Sequence, residues 1–197
     1  MPEHTPTDRQ WPSEYRSLAN GSVSSADGRY ELRPIRWTDR EDIRTWRNAQ
    51  IEALRQTSEL SVSDQDRYFS SVVLPQFDQM YPDQILFAFL EEGQLIGYGG
   101  LVHIVWSDQR AEVSFLTAPQ RLDSVTFTND WVAYLTLLTV LAQRLGLRKL
   151  TTETYSMRSD LIAILEGYGF EREGVLRGHH VVDGTAVDSY AHAFFLS

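Results

Sequence analysis

The stretch KLTTETYSMRSDLIAILEGYGF, Lys149 to Phe170, decides the fold of this chain. Its opening residues are rich in β-branched side chains, which favour a strand. Leu161, Ile162 and Leu165 follow at helical spacing and predict a helix with one apolar side. Gly169 ends this helix, because glycine adopts the left-handed cap conformation that a Cβ disfavours. The phenylalanine after it begins another strand, so the stretch predicts a strand–helix–strand unit.

Similar patterns place further strands and helices on both sides of this unit. Strands are predicted over residues 30–35, 85–91, 94–106, 111–116, 149–155, 170–182 and 185–195. Helices are predicted over residues 38–46, 63–75, 130–145 and 161–168. Residues 1–28 are polar and lack periodicity, so they are interpreted as a flexible N-terminal tail before one domain over residues 29–197. The alternative is that Trp11, Tyr15 and Leu18 pack against the domain. This order predicts a mixed α/β (α+β) domain, with a central mixed sheet of about seven strands flanked by about four helices.

Composition excludes several classes of protein. The 197 residues contain no cysteine, which rules out disulfides and cysteine nucleophiles and suits a reducing, cytoplasmic location. A net charge of −9 argues against nucleic-acid and anionic-membrane partners, because phosphate contacts need clustered lysine and arginine. The apolar run from Trp131 to Ala142 is too short to span a bilayer. A charged fraction of 23% is ordinary for a soluble globular domain, which is therefore expected.

The unit that turns at Gly169 and Phe170, together with the order of the other elements, resembles the GCN5-related N-acetyltransferase (GNAT) superfamily. The resemblance covers residues 29–197. It implies acetyl-CoA as co-substrate and transfer of the acetyl group to a primary amine. It also implies that the fourth and fifth strands splay apart and that the pantetheine arm of coenzyme A lies in the gap. No metal is expected in this reaction.

Two residues are candidates for proton transfer. Glu112, in an Ala-Glu-Val setting on the fourth predicted strand, resembles the general base of the histone-acetylating branch, and a carboxylate there can deprotonate the acceptor amine. The alternative is a solvated strand carboxylate that pairs with Arg110. Tyr155, at the mouth of the fifth strand, is the candidate acid for the leaving thiolate, and a purely structural tyrosine is the alternative. Leu165 stands where many members carry the tyrosine acid, and Arg158 where asparagine is common.

The cofactor is expected at the end of the fourth strand and in the loop that follows. Main-chain groups of Phe115, Leu116 and Thr117 are implied to bind pantetheine as an added strand would. Most members continue with a glycine-rich phosphate loop, but residues 118–130 contain no glycine. A helix that begins near Asn129 still offers free N–H donors, and the alternative is an ordinary polar loop with a helix N-cap. The side chains expected to assist in phosphate binding are those of Arg121, Thr126, Thr128 and Asn129.

The acceptor is expected to bind near the first helices. Trp46-Arg47-Asn48 and Arg55-Gln56 resemble a pattern in the branch of ribosomal-protein N-terminal acetyltransferases and amino-sugar-nucleotide N-acetyltransferases. Arg47 and Arg55 would clamp a phosphate or carboxylate of the acceptor, and the alternative is a pair of arginines on a solvated face. His103, on the third strand, is a further acceptor contact if it faces the cleft, and otherwise a solvated histidine.

These features predict an N-acetyltransferase for a small polar amine, such as an amino sugar on a nucleotide carrier. A protein N-terminal amine is one alternative, and a degenerate, non-catalytic binding or regulatory module is another, because the phosphate loop lacks glycine. The C-terminal strands either pair across a homodimer or simply end the domain. His179, His180 and His192 lack the spacing to a carboxylate that is typical of zinc sites, so no metal site is expected.

Overall fold

A sheet of eight strands organises the computed structural model, which describes residues 11–51, 54, 56 and 58–196. The strand order is β1-β2-β3-β4-β5-β6-β8-β7, and only β5 and β6 run parallel to each other. The strands are β1 (Val23–Ser24), β2 (Tyr30–Pro34), β3 (Ile85–Glu91), β4 (Gln94–Val105), β5 (Arg110–Thr117), β6 (Lys149–Tyr155), β7 (Glu171–Val182) and β8 (Thr185–Phe195).

Four helical segments accompany the sheet in the described part of the chain. Three of them are single α-helices: α1 (Arg40–Ala49), α4 (Ser124–Arg144) and α5 (Ser159–Tyr168). The fourth is a continuous segment that consists of α2 (Val62–Tyr68), a π-helical turn (Phe69–Val73) and α3 (Leu74–Gln76). The predicted mixed α/β class is confirmed. The sheet has one strand more than expected, because two residues of the N-terminal segment pair with β2.

Residues 11–28 do not form the flexible tail that the sequence predicted. Trp11, Tyr15 and Leu18 are all buried in the hydrophobic core. The indole of Trp11 donates to the carbonyl of Ile35 at 2.8 Å, and the hydroxyl of Tyr15 contacts the main chain of Leu86. The prediction rested on polar composition and was wrong, since three large apolar side chains are enough to anchor a segment whose other residues are mostly exposed or half-buried. Residues 1–10 lie outside the described part.

Helix α4 begins earlier than predicted and is 21 residues long. By length and composition alone this helix could cross a membrane. The expectation that the segment is too short to span a bilayer rested only on the apolar run from Trp131 to Ala142 and is wrong. Tyr134, Leu135, Leu138 and Leu141 on this helix are nevertheless fully buried within the hydrophobic core. This burial is what a core helix shows, because its apolar face is satisfied by the domain itself.

The parallel pair β5 and β6 opens into a fork. Pairing covers only residues 110–112 of β5 against residues 149–151 of β6. Beyond this point β5 remains paired with β4 as far as Thr117, and β6 remains paired with β8 as far as Tyr155. The predicted splaying of these two strands is therefore confirmed, and it leaves the facing edges of both strands without a strand partner.

Strand β4 approaches β5 and helix α4 closely at Gly99. A Cβ at this position would collide with the main-chain oxygen of Ser114 and would lie 2.6 Å from the hydroxyl of Tyr134. That hydroxyl donates to the same Ser114 oxygen at 2.8 Å. Glycine at position 99 thus lets α4 hydrogen-bond directly to β5 beside the opening of the fork.

Gly99→Ala should lower the free energy of unfolding by about 3 kcal/mol, the upper end of the cost of overpacking a core. Gly167→Ala is the matched control, because this helical position has open space around it. Alanine there should raise stability by about 0.5–1 kcal/mol through helix propensity. Urea denaturation followed by circular dichroism measures both, and an unperturbed Gly99→Ala variant would contradict the close approach of β4 to β5.

Candidate active site

The fork between β5 and β6 contains a cleft of about 440 Å³. Four of the predicted site residues line it together: Arg47, His103, Glu112 and Phe115. They come from α1, β4 and β5, which are far apart in the sequence. The structure therefore brings the candidate base and two candidate acceptor contacts into one cavity.

Glu112 is the last residue of β5 that pairs with β6, so its carboxylate stands at the vertex of the fork. Its Oε2 lies 2.9 Å from Nδ1 of His103, and the two side chains are 29% and 73% exposed. A β-bulge between Val102 and Val105 places His103 in a left-handed conformation, with φ of 48°. Such conformations are uncommon outside glycine and concentrate at functional sites.

Arg47 carries a positive charge that no described carboxylate neutralises. Its Nη1 donates to the hydroxyl of Tyr98 at 2.9 Å, and its Nε donates to the side-chain oxygen of Gln56 at 3.0 Å. Arg47 also lines an adjoining pocket of about 220 Å³ between α1, α2 and the sheet. Arg55, the second predicted clamp, lies outside the described residues.

An aromatic floor closes the cleft on the side of α4. The ring of Phe115 stacks on Tyr134 with centroids 3.8 Å apart, and Trp131 packs edge-on against Phe115 at 4.9 Å. The indole nitrogen of Trp131 and the hydroxyl of Thr152 are buried in the wall of this cleft without a hydrogen-bond partner. Buried polar groups are rarely left unpaired, so these two atoms fit a cleft that receives a ligand with polar groups.

The three residues expected to bind pantetheine have different surroundings. Phe115 lines the cleft, whereas Leu116 and Thr117 are buried and face Tyr98 and Gly97 of β4 in the strand register. The carbonyl of Thr117 already accepts a hydrogen bond from Gln50 at 2.8 Å. The edge of β5 toward β6 has no strand partner from residue 113 onward, so pantetheine binding along it stays a prediction.

The predicted loop over residues 118–130 is wrong in its extent. A short 3-10 turn, Pro119–Arg121, leads almost directly into α4, whose N-cap Asp123 accepts from the main-chain N–H of Thr126 at 3.0 Å. Thr126, Thr128 and Asn129 therefore lie within the helix. The hydroxyl of Thr128 donates back to the carbonyl of Ser124 at 2.7 Å, which removes it as a phosphate donor in this conformation.

Arg121 is engaged within the protein. Its guanidinium donates through Nε and Nη2 to both carboxylate oxygens of Asp130, and its Nη1 lies 2.8 Å from a carboxylate oxygen of Glu91. Hydrogen bonding to Asp130, which is fully buried, raises the pKa of Arg121 above its ordinary value. Arg29 also pairs with Glu91, so two arginines balance two carboxylates, and Arg121 has no unneutralised charge left for an added anion. The geometry gives Arg121 a structural role and does not support the predicted phosphate contact.

Arg158 is the cation that the sequence-based prediction did not select. It lines the fork cleft and also a second cleft of about 460 Å³, bounded by Gln50, Leu122 and the first turn of α5. Its guanidinium has no ion-pair partner among the described residues, and burial lowers its pKa from the ordinary value. No side chain caps the start of α5. The only signal in the sequence was the arginine at a position where asparagine is common in the family.

Tyr155 and Glu153 lie on β6, on the side of the fork opposite Glu112. Glu153 lines the cleft, and its Oε1 lies 2.7 Å from Nε2 of His180. The Tyr155 ring lies 4.7 Å from that of His180. Tyr155 pairs with Ser189 at the end of the strand, so its role as the acid stays a prediction.

Comparison with known proteins agrees with this architecture. Residues 32–191 match the model of the acetyltransferase (GNAT) domain. No curated protein matches the sequence. The match to the GNAT domain model covers most of the chain. The chain therefore belongs to the GNAT acetyltransferase family and is an N-acetyltransferase that uses acetyl-CoA.

Solved structures with the same fold include several acetyltransferases. The spermidine N-acetyltransferase of Vibrio cholerae, in complex with CoA and spermine, superposes with a TM-score of 0.73 at 16% identity, over 85% of this chain and 96% of that one. A probable GNAT-family acetyltransferase of Chromobacterium violaceum gives 0.69 at 17% identity, over 99% and 96%. An N-acetyltransferase of Staphylococcus aureus gives 0.67 at 15% identity, over 85% and 99%. Likeness at these identities establishes the fold.

Proposed function

We propose that this enzyme acetylates the primary amine of a small molecule that also carries an anionic group, such as an amino sugar on a nucleotide carrier. The observation that carries the proposal is the guanidinium of Arg47, which reaches the same cleft as Glu112 and has only neutral partners among the described residues. An unneutralised arginine in a cleft favours a phosphate or carboxylate. The proposal keeps the acceptor class of the amino-sugar-nucleotide branch.

Glu112 acts as the general base for the acceptor amine. Its position at the vertex of the fork puts the carboxylate beside the gap between the strands, and the nearby imidazole of His103 fixes its orientation. Acetyl-CoA supplies an acetyl group already activated as a thioester. The carboxylate removes the proton that the attacking nitrogen must lose, directly or through water.

The cofactor lies along the fork and continues toward Arg158. The partnerless edge of β5 and the unpaired polar atoms of Trp131 and Thr152 suit the amide groups of pantetheine. Arg158 and the uncapped start of α5 then provide positive charge and free N–H groups for the phosphates. These groups take the place of the glycine-rich loop that residues 118–130 lack.

A polyamine acceptor is the second candidate, and two observations favour it. Several of the solved structures with this fold are spermidine N-acetyltransferases. Glu112 and Glu153 also line one cleft, and two carboxylates there would attract a molecule with several positive charges. A protein N-terminal amine stays the third candidate, and the acceptor panel includes a peptide to test it.

An acceptor panel tests the proposal. Acetyl-CoA turnover should be faster with a nucleotide-linked amino sugar than with spermidine. Arg47→Gln should raise KM for the anionic acceptor about tenfold or more, because it removes a charge-assisted hydrogen bond. Arg44→Gln, on the same helix but paired with Glu41 at 2.6 Å, is the matched control and should leave this KM unchanged. If spermidine is the faster substrate and Arg47→Gln leaves KM for the anionic acceptor unchanged, the polyamine replaces the anionic amine as the proposed acceptor.

Glu112→Gln should lower kcat about 100-fold or more at neutral pH, the usual contribution of a general base. Turnover should recover partly at alkaline pH, because more of the acceptor amine is then already deprotonated. Glu31→Gln changes a strand carboxylate outside the cleft and should behave as the wild type. Steady-state kinetics from pH 6 to 10 measure these effects. A Glu112→Gln enzyme with normal turnover would exclude the role.

Arg158→Ala should weaken coenzyme A binding about 10- to 100-fold while leaving the fold intact, since a charge-assisted hydrogen bond contributes about 1.5–3 kcal/mol. Arg121→Lys is the comparison: it should lower the free energy of unfolding by about 2 kcal/mol through loss of the bidentate pair with Asp130, without changing the affinity for coenzyme A. Calorimetry and urea denaturation separate the two effects. Weaker coenzyme A binding in Arg121→Lys, together with unchanged binding in Arg158→Ala, would instead identify Arg121 as the phosphate contact.

A further inference from the structure

The hairpin of β7 and β8 contains an irregularity that brings two consecutive histidines together. Register slips between Leu176 and His180, so three residues of β7 face a single residue of β8. Gly178, within the slip, has φ of 55°, and its N–H donates to the carboxylate of Asp188 at 2.7 Å. Consecutive residues of a regular strand point to opposite faces, but this bulge turns both rings to one side.

The two imidazoles converge on one carboxylate. Nε2 of His180 lies 2.7 Å from Oε1 of Glu153, and Nε2 of His179 lies 3.9 Å from the same oxygen. Glu153 belongs to β6, which is separated from β7 by β8. On β8, Ala191 pairs with Glu153 and Val187 pairs with His180, and the hydroxyl of Ser189 between them donates to the same Glu153 oxygen at 2.8 Å.

We propose that His179, His180 and Glu153 form a binding site for a divalent transition metal of the zinc class. One ligand atom from each residue lies within 4.8 Å of the other two. Zinc–ligand bonds of about 2.0–2.2 Å place neighbouring ligand atoms about 3.3–3.6 Å apart. His180 must therefore move slightly away from Glu153, which it now contacts at 2.7 Å, and the more exposed His179 must move closer than its present 3.9 Å. Two imidazoles and one carboxylate suit zinc, cobalt or nickel and do not suit magnesium or calcium, which prefer oxygen ligands.

The proposed metal site adjoins the active-site cleft. Glu153 lines the cleft between the splayed strands, opposite Glu112. A bound cation adds positive charge to this wall and ties the β7–β8 hairpin to β6. Three protein ligands leave a coordination position open to water or to a donor atom in the cleft.

Metal binding is tested on the full-length protein after removal of metals with a chelator, in the absence of acetyl-CoA. Titration calorimetry with zinc chloride should show one equivalent per chain, and cobalt chloride should produce visible absorption bands of a low-symmetry site. His179→Ala and His180→Ala should each weaken zinc affinity at least tenfold. His103→Ala removes a histidine that also adjoins a carboxylate, and as the matched control it should change zinc affinity less than twofold.

The outcome does not depend on the function proposed above, because it is measured without substrates. Zinc affinity that is equal in the wild type, His179→Ala and His180→Ala would overturn the proposal and leave a structural hydrogen-bond network. Circular dichroism controls for folding. If His180→Ala does not fold, His179→Ala decides the question, since the His179 side chain is 48% exposed and its ring has no described hydrogen bond.

Discussion

The early end of pairing between β5 and β6 is the constraint on which the rest of the site depends. Every other neighbouring pair in the sheet is antiparallel, and this single parallel pair separates after residue 112. The separation creates a cleft inside a sheet without breaking the sheet, because each strand keeps its other neighbour. Helix α4 closes the floor with aromatic rings, and the Tyr134 hydroxyl, bonded to the Ser114 carbonyl, fixes the helix to β5.

Charge is distributed around this cleft in two different ways. Arg121, Asp130 and Glu91 form a closed network, in which the positive charge is consumed by neighbouring carboxylates. Arg47 and Arg158 have no described carboxylate partner, and both reach the cleft. Because a buried or half-buried cation without a counter-ion is costly, the second arrangement favours anionic ligands, whereas the first favours stability. This distinction underlies the assignment of the cofactor phosphates to Arg158.

Several features were predictable because they depend on local chemistry. The strand–helix–strand unit, whose helix ends at Gly169, is determined by the hydrophobic period and by one glycine cap. The structure contains this unit as β6, α5 and β7. The strand position of Glu112 was predicted because its flanking residues resemble a strand of the family, and its role as the base stays a prediction. The extent of α4 was missed, since Asp123 is a good N-cap but the threonines after it resemble a loop. The burial of Trp11 and Tyr15 was only the alternative interpretation, because a polar composition does not show which few side chains reach the core.

The sequence by itself determined the class of fold, the order of its elements and the candidate base, since propensity, period and capping act over a few residues. Tertiary structure decided which charged groups remain available: Arg121 is bound to Asp130, whereas Arg158 has no ion-pair partner among the residues that the structure describes. It also decided that His179 and His180 meet Glu153, a residue 26 positions from the nearer of them. Such pairings depend on strand order and on a bulge, and neither leaves a periodic signal in the chain.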